Sequence, residues 1–360
     1  MKEMPVTVKR SLELLGLFLL GALIVIGKFV IMPLLMAFFF SLMLMPIFRF
    51  FRRLRVTEVI AIFLPILFLA VFAALIVWLF SSQLGALLSD FPQIQRNLTK
   101  HLDALSVWVS RVFSYSPAEQ LKFINEQSNS LFSSAGSILS GTAGSVSSML
   151  LFFGLLPIYI YLIILYRGLF QKFILMGAEP AAQASIKDIM LKVEGMAKNY
   201  LVGLLIQISY LIILIWLTLL IFGIPHALLI GILFALLNLI PYLGPLIGNI
   251  LGVLITLASS ESMADVLIVL LVIAVVQFLD NNILMPRIVG SQVKINALVS
   301  IAGIFIGGAM AGIAGMFLAM PVIAVLKIIF DHSENFKRWG VLLGDDRPAK
   351  KSNHESTIPA

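Results

Sequence analysis

Apolar runs long enough to cross the ~30 Å hydrocarbon core of a bilayer recur along nearly the whole of this 360-residue chain. Nothing else in it constrains the fold as strongly. A backbone surrounded by lipid must satisfy its own N–H and C=O groups, which leaves helices and closed barrels as spanning structures. A barrel would read as ten-residue segments of alternating polarity, and the runs here are continuous. The chain therefore reads as an all-α, polytopic membrane protein. Hydrophobic residues make up 60% of it and charged residues 12%, which excludes an ordinary soluble globule. There is no Cys, so disulfides and thiolate metal sites are excluded. Four scattered histidines (His101, His226, His332, His354) lack metal-ligand spacing, and no metal or other cofactor is expected.

The net charge of +7 is no nucleic-acid footprint, because its Lys and Arg gather in short loops and at the chain ends, where they act as topology signals. A first span is expected over residues 11–30, broken by Pro33, with a shorter second span over 34–48. Arg49, Arg52, Arg53 and Arg55 then mark a cytoplasmic loop, and a third span follows over 59–80, closing an N-terminal membrane unit, 1–80. Between 81 and 145 acidic and basic residues balance and apolar residues recur at helical spacing, which predicts a small extracytoplasmic insert of amphipathic helices. A fourth span is expected over 149–166 and a fifth over 200–222. Five basic and three acidic residues lie between Arg167 and Lys198, as befits a cytoplasmic segment, and one helix from about Ala181 onward is expected to run on into the fifth span.

The core region, 146–331, contains two apolar stretches that cannot each be one straight helix. In 227–258, Pro241, Gly244, Pro245 and Gly248 interrupt the run; in 297–326, Gly307, Gly308, Gly312 and Gly315 do so. Each is expected to form a re-entrant hairpin, the first from the outer side and the second from the inner. With a sixth span over 266–285, this makes about six full spans plus two hairpins, and span-plus-hairpin occurs twice in opposite senses, suggesting an inverted repeat. The tail, 332–360, reads as cytoplasmic, with disorder beyond Asp345.

Gln277, Asp280, Asn281 and Asn282 end the sixth span, ahead of Pro286 and Gly290. A carboxylate at membrane depth costs about 2.5–3.5 kcal/mol on insertion scales, so it marks a functional site by default. Gln277 and Asp280, three apart, share one helix face. Asp280 reads as a coupling-ion ligand, a proton carrier or a structural anchor. Asn238 and Asn249 flank the first hairpin tip, satisfying its backbone or facing substrate. Tyr242 belongs to that tip, which is expected to be structural and, by analogy with other broken-helix transporters, a gate or part of the site. No P-loop, HExxH, GxSxG or Cys nucleophile is present, and no enzymatic activity is expected.

Gly203 with Gln207, then Gly223-Ile224-Pro225, PYLGPLIG (Pro241 to Gly248), Gln277, Asp280, Asn282, Pro286, Gly290 and GGAMAGIAGMFLAMP (Gly307 to Pro321) occur in an order that resembles the autoinducer-2 exporter family, or PerM-type permeases. The resemblance is specific over about 198–331. The charge pattern places both termini in the cytoplasm; the resemblance implies a bacterial inner-membrane protein that moves small solutes outward or exchanges sodium for protons. It also implies a homo-oligomer, a pentamer in the favoured form, and a place for Gln207 in the site. Where the family often has Glu, this chain has Asp280. The expected function is thus a secondary transporter coupled to a proton or sodium gradient, with an uncoupled oligomeric channel and a non-transporting scaffold as alternatives. Expected partners are the lipid bilayer, a small polar solute and H+ or Na+, with no nucleic acid.

Overall fold

The computed structural model describes residues 6–285 and 294–345, except 91, 95, 98, 99, 102–153 and 335. Most of the expected helical insert, the start of the fourth span, Pro286, Gly290 and the tail beyond Asp345 lie outside the described residues. The described residues are almost entirely helical. Five helices are long and apolar enough to cross a membrane, or six if one bent pair counts as a span.

Helix α1 (Val6–Ile26) gives way at Gly27 to α2 (Lys28–Arg53). The break expected at Pro33 is absent, since Pro33 lies inside α2. A proline removes one backbone hydrogen bond, and unwinding the helix in an apolar setting would strand several more. The chain therefore loosens at Gly27 instead. Helix α3 (Glu58–Ser89) runs nine residues past its expected end at Phe80. Helices α4 (Gly154–Leu165) and α5 (Arg167–Met176) form the pair bent by 62°. Helix α6 (Gln183–Ile221) is 39 residues long, about 58 Å, and carries the charged segment and the fifth span as one rod. A turn with Gly223 and His226 at positive φ leads to α7 (Ala227–Leu237) and α8 (Leu243–Ser259). Then come α9 (Met263–Leu279), a π-helical turn (Asp280–Leu284), α10 (Ala297–Asp331) and the short α11 (Lys337–Leu343).

Both interrupted stretches double back. A Cβ at Gly248 would lie 2.7 Å from the Phe234 ring, and one at Gly252 would lie 3.4 Å from Ile230. Rising numbers on α8 thus meet falling numbers on α7, so the two helices are antiparallel, joined by a tip at 238–242 where Tyr242 has φ +67°. In α10 the turn falls at Ala311 and Gly312, whose φ is +62°. In a straight helix Gly307 and Gly315 would stand about 12 Å apart. Here each would press a Cβ onto the other's carbonyl oxygen, so the chain has turned back between them.

Polar contacts show to which end each hairpin opens. Arg49 pairs with Glu194 at 2.9 Å and Arg167 with Glu58 at 2.9 Å, defining a basic end of the bundle. At that end Asn296, starting α10, donates to the Leu342 and Gly344 carbonyls, and Lys327, near its finish, binds Asp331 and the Gly340 carbonyl. These bonds also fix α11, a helix the sequence analysis does not predict within the tail. At the other end His226, before α7, faces Asp90 at 3.3 Å. There also Lys100 reaches Glu261 at 2.5 Å, His101 meets the Ser260 carbonyl at 2.9 Å and Asn97 donates to that of Ala258. The hairpins therefore open to opposite ends.

Two apolar cores run along α6. The first joins α2, α3 and α4 to Ala197, Leu201 and Leu204; the second joins α7 and α9 to Ile208, Leu211, Ile215 and Leu219. Leu239 from the first hairpin tip and Ala311 from the second both pack against the first core, so the tips converge from opposite ends.

Gly315→Ala is expected to lower the unfolding temperature in detergent by an amount matching about 1–3 kcal/mol or more, since backbone rather than a movable side chain blocks the methyl group. Gly85→Ala, where a Cβ meets open space, is expected to be neutral or stabilising by up to about 1 kcal/mol. A second expectation concerns pH. The hydrogen bond from Lys100, with its charge, holds the Glu261 carboxyl below its ordinary 4.5. A depressed carboxyl stabilises the folded contact above the unfolded value and loses that contribution as pH falls through the folded one. Protection factors at residues 96, 97, 100 and 101, taken relative to the intrinsic exchange rate at each pH, should therefore fall below about pH 4.5. The change should be small and weakened by salt, because both side chains are exposed.

Candidate functional site

Asp280 is 1% exposed and is the one buried carboxylate among the described residues. Three side chains donate to it. Gln207 Nε2 reaches Oδ2 at 2.9 Å and Asn238 Nδ2 reaches the same oxygen at 3.2 Å. The Tyr210 hydroxyl donates to Oδ1 through a very short contact. Gln207 and Asn238 are themselves buried.

Local sequence explains how each arrives. Gln207 and Tyr210 are three apart on α6 and so share a face, in a stripe of otherwise apolar buried residues. Asn238 ends α7, where its own N–H bonds to the Phe234 carbonyl and its side chain is free to reach outward. Asp280 opens the π-helical turn. Asn282 there turns its amide onto the Phe278 carbonyl at 2.8 Å, a local bond that competes with regular helix and suits a widened turn.

Energetically the shell is adequate. Hydrogen bonds to a charged group contribute about 1.5–3 kcal/mol each, and three of them offset the ~2.5–3.5 kcal/mol cost of a membrane-embedded Asp. None of the three donors carries charge, and no Lys, Arg or His pairs with Asp280 among the described residues. The carboxyl group is thus hydrogen-bonded without a cationic partner among the described residues. Along α6, Gln207 lies 13 residues after Glu194 and 14 before Ile221, about 20 Å from each.

Of the residues singled out from sequence, the structure brings Gln207 and Asn238 to Asp280. Gln277, expected on the same face, instead donates to Asn281 at 3.0 Å, while its Oε1 is buried without a hydrogen-bond partner among the described residues. Asn281 and Asn282 are exposed. Asn249 bonds back to the Pro245 carbonyl within α8 at 2.7 Å. Pro241 and Tyr242 lie in the hairpin tip, and Gly244, Pro245 and Gly248 lie in the first turns of α8, where Gly244 and Gly248 permit contact with α7. Gly307, Gly308, Gly312 and Gly315 surround the second tip. Sequence reasoning missed Tyr210, although the same three-residue spacing applied from Gln207 would have found it.

Comparison with known proteins gives a consistent picture. AI-2E family transporters match this chain over residues 14–335. The putative transport protein YhhT of Escherichia coli (strain K12) is 24% identical over 323 residues, covering 89% of this chain and 90% of that one. The AI-2 transport protein TqsA of the same organism is 26% identical over 318 residues, covering 88% and 90%. The putative transport protein YrrI of Bacillus subtilis (strain 168) is 36% identical over 140 residues, 39% of each chain. With nearly the whole chain matched, this protein belongs to the AI-2E family of membrane transporters.

Proposed function

We propose that this protein is a secondary transporter in a bacterial inner membrane. It moves a small polar solute, coupled to a proton or sodium gradient, with Asp280 carrying the charge of the coupling ion. The observation that carries this reading is the buried Asp280 carboxyl group, set beside Gln207 between Glu194 and Ile221 of α6 and held by neutral donors alone among the described residues. A carboxylate that served solely to tie helices together would be cheaper as an ion pair or an amide. A buried carboxylate without a cationic partner attracts a proton or a cation.

The shell suits both states of such a site. With Asp280 ionised, the amides of Gln207 and Asn238 present N–H. With a cation bound or the acid protonated, the same amides can rotate to present oxygen, and the Tyr210 hydroxyl can accept as well as donate. The AI-2 transport protein of E. coli aligns over most of this chain, which supports a solute of that type; outward movement is part of the proposal. The two oppositely opening hairpins support an inverted-repeat arrangement, with solute handled between their tips. Homo-oligomerisation remains part of the proposal.

Flux of solute in proteoliposomes under an imposed proton or sodium gradient is the deciding measurement. Asp280→Asn keeps the shape of the side chain and is expected to abolish gradient-driven flux with folding and insertion preserved. Flux equal to that of the unaltered protein would overturn the coupling role and leave Asp280 an anchor within an uncoupled channel. Tyr210→Phe removes one donor and is expected to lower flux about tenfold or more, the kinetic equivalent of one hydrogen bond to a charged group.

A further inference from the structure

At the basic end of the bundle a cavity of about 490 Å³ opens between the last turns of α2 and the early turns of α6. Arg49 and Arg53 line it from α2, and Glu194 and Lys198 from α6. Phe50 and Leu191 form an apolar wall. Arg49 is already matched by Glu194 at 2.9 Å. Arg52 next to it is engaged with the Val56 carbonyl at 2.8 Å. Arg53 and Lys198 make no hydrogen bond or ion pair with any described residue. With Arg49 and Glu194 cancelling each other, Arg53 and Lys198 leave the cavity a surplus of two positive charges, which is the footprint of an anion.

Depth and wall chemistry narrow the kind of anion. Lys198 lies nine residues before Gln207, about 14 Å along α6 from the middle of the bundle. The hydrocarbon core has a half-thickness of about 15 Å, so the cavity lies at the level of lipid headgroups. Phe50 is 58% exposed and Leu191 63%, beside the two cations. A hydrated free phosphate gains nothing from such a wall, whereas a phospholipid offers a phosphate and an acyl chain together. Basic pockets between membrane helices take anionic headgroups for this reason.

We infer that this cavity binds an anionic phospholipid, its phosphate held between Arg53 and Lys198 and its first acyl carbons against Phe50 and Leu191. The lipid joins α2 to α6 beside the Arg49–Glu194 pair, and it is separate from the Asp280 site. The inference does not depend on the transport reading. Each cation strengthens the attraction about fivefold, so losing both weakens it about 25-fold.

The test uses the full-length chain, purified in a neutral detergent and stripped of lipid. Phosphatidylglycerol, phosphatidylcholine with the same acyl chains, or inorganic phosphate is added back, and Tm is read beside lipid retention by native mass spectrometry. Phosphatidylglycerol should raise Tm and be retained, while phosphatidylcholine and inorganic phosphate do neither. Arg53→Gln with Lys198→Gln should weaken the phosphatidylglycerol response about 25-fold, and Lys172→Gln on α5 should leave it intact. Equal stabilisation by phosphatidylcholine would sink the proposal, as would a phosphatidylglycerol response that survives the double substitution. Inorganic phosphate acting as well as phosphatidylglycerol would replace the lipid with a soluble phosphate. Should the double variant fail to fold, Lys198→Gln alone decides the matter, with a loss of about fivefold.

Discussion

The contact on which the arrangement of the C-terminal half depends is the Asp280 carboxylate with its three donors. In water, apolar surface drives helices together; in lipid, tails are as apolar as Leu, and helices must be assembled by close packing and hydrogen bonds. The donors come from α6 and α7 and the acceptor from the turn after α9, so one side chain ties three elements. It does so at a specific height. The two apolar cores meet on α6 between Leu204 and Ile208, and Gln207 sits in that gap. Purely apolar cores on one long rod would tolerate rotation or sliding of their partners, and a polar contact at the junction selects a single register.

Close packing supplies the other half of the specification, and glycine is its means. Gly244 and Gly248 let α8 lie against α7, and Gly307 and Gly315 bring the two arms of α10 into backbone contact. A hairpin within an apolar region must bury the carbonyls of its tip, and only near-contact of its arms leaves little room for unsatisfied groups. At Gly312 the backbone goes further, into a conformation with φ +62° that L side chains rarely adopt. The same residues that forbid a straight helix in the sequence thus enable the turn that replaces it.

How much of this was legible beforehand follows from range. The helical class, the single rod of α6 and the two interruptions are local properties of hydrophobic runs and of Pro and Gly, and they were readable. The break at Gly27 in place of Pro33 was not, because local propensity disfavours Pro within a helix while the apolar setting penalises unwinding more. Asp280 stood out as a carboxylate within an apolar run. Its partners were only half visible: Gln207 came from family resemblance, Asn238 from its place beside a tip, and Tyr210 was not singled out. Gln277, three residues from Asp280, was drawn in by ideal helical geometry. The carboxylate opens a π-helical turn, while Gln277 bonds along the helix to Asn281. Long-range pairing across 70 residues, as between Tyr210 and Asp280, leaves no periodic trace in one sequence.

The tips give the Asp280 contact its further meaning under the transport reading. Leu239 and Ala311, one from each hairpin, reach the same core from opposite ends of the bundle. Asn238, adjacent to Leu239, donates to Asp280. Any displacement of the first tip must therefore stretch or break a bond to the buried carboxylate, and any change in the charge state of Asp280 must alter the strength of that bond. A proton or cation at Asp280 and a moved tip are then linked by one hydrogen bond, worth about 1.5–3 kcal/mol when the acceptor is charged. That is a bias of roughly ten- to a hundredfold between two positions of the tip, within the range of ordinary coupling free energies. It needs no long chain of intermediates, because sensor and moving part touch. The absence of a cationic partner for Asp280 among the described residues is what keeps the bias switchable. A Lys or Arg in the place of Gln207 would hold the carboxylate ionised and the tip fixed.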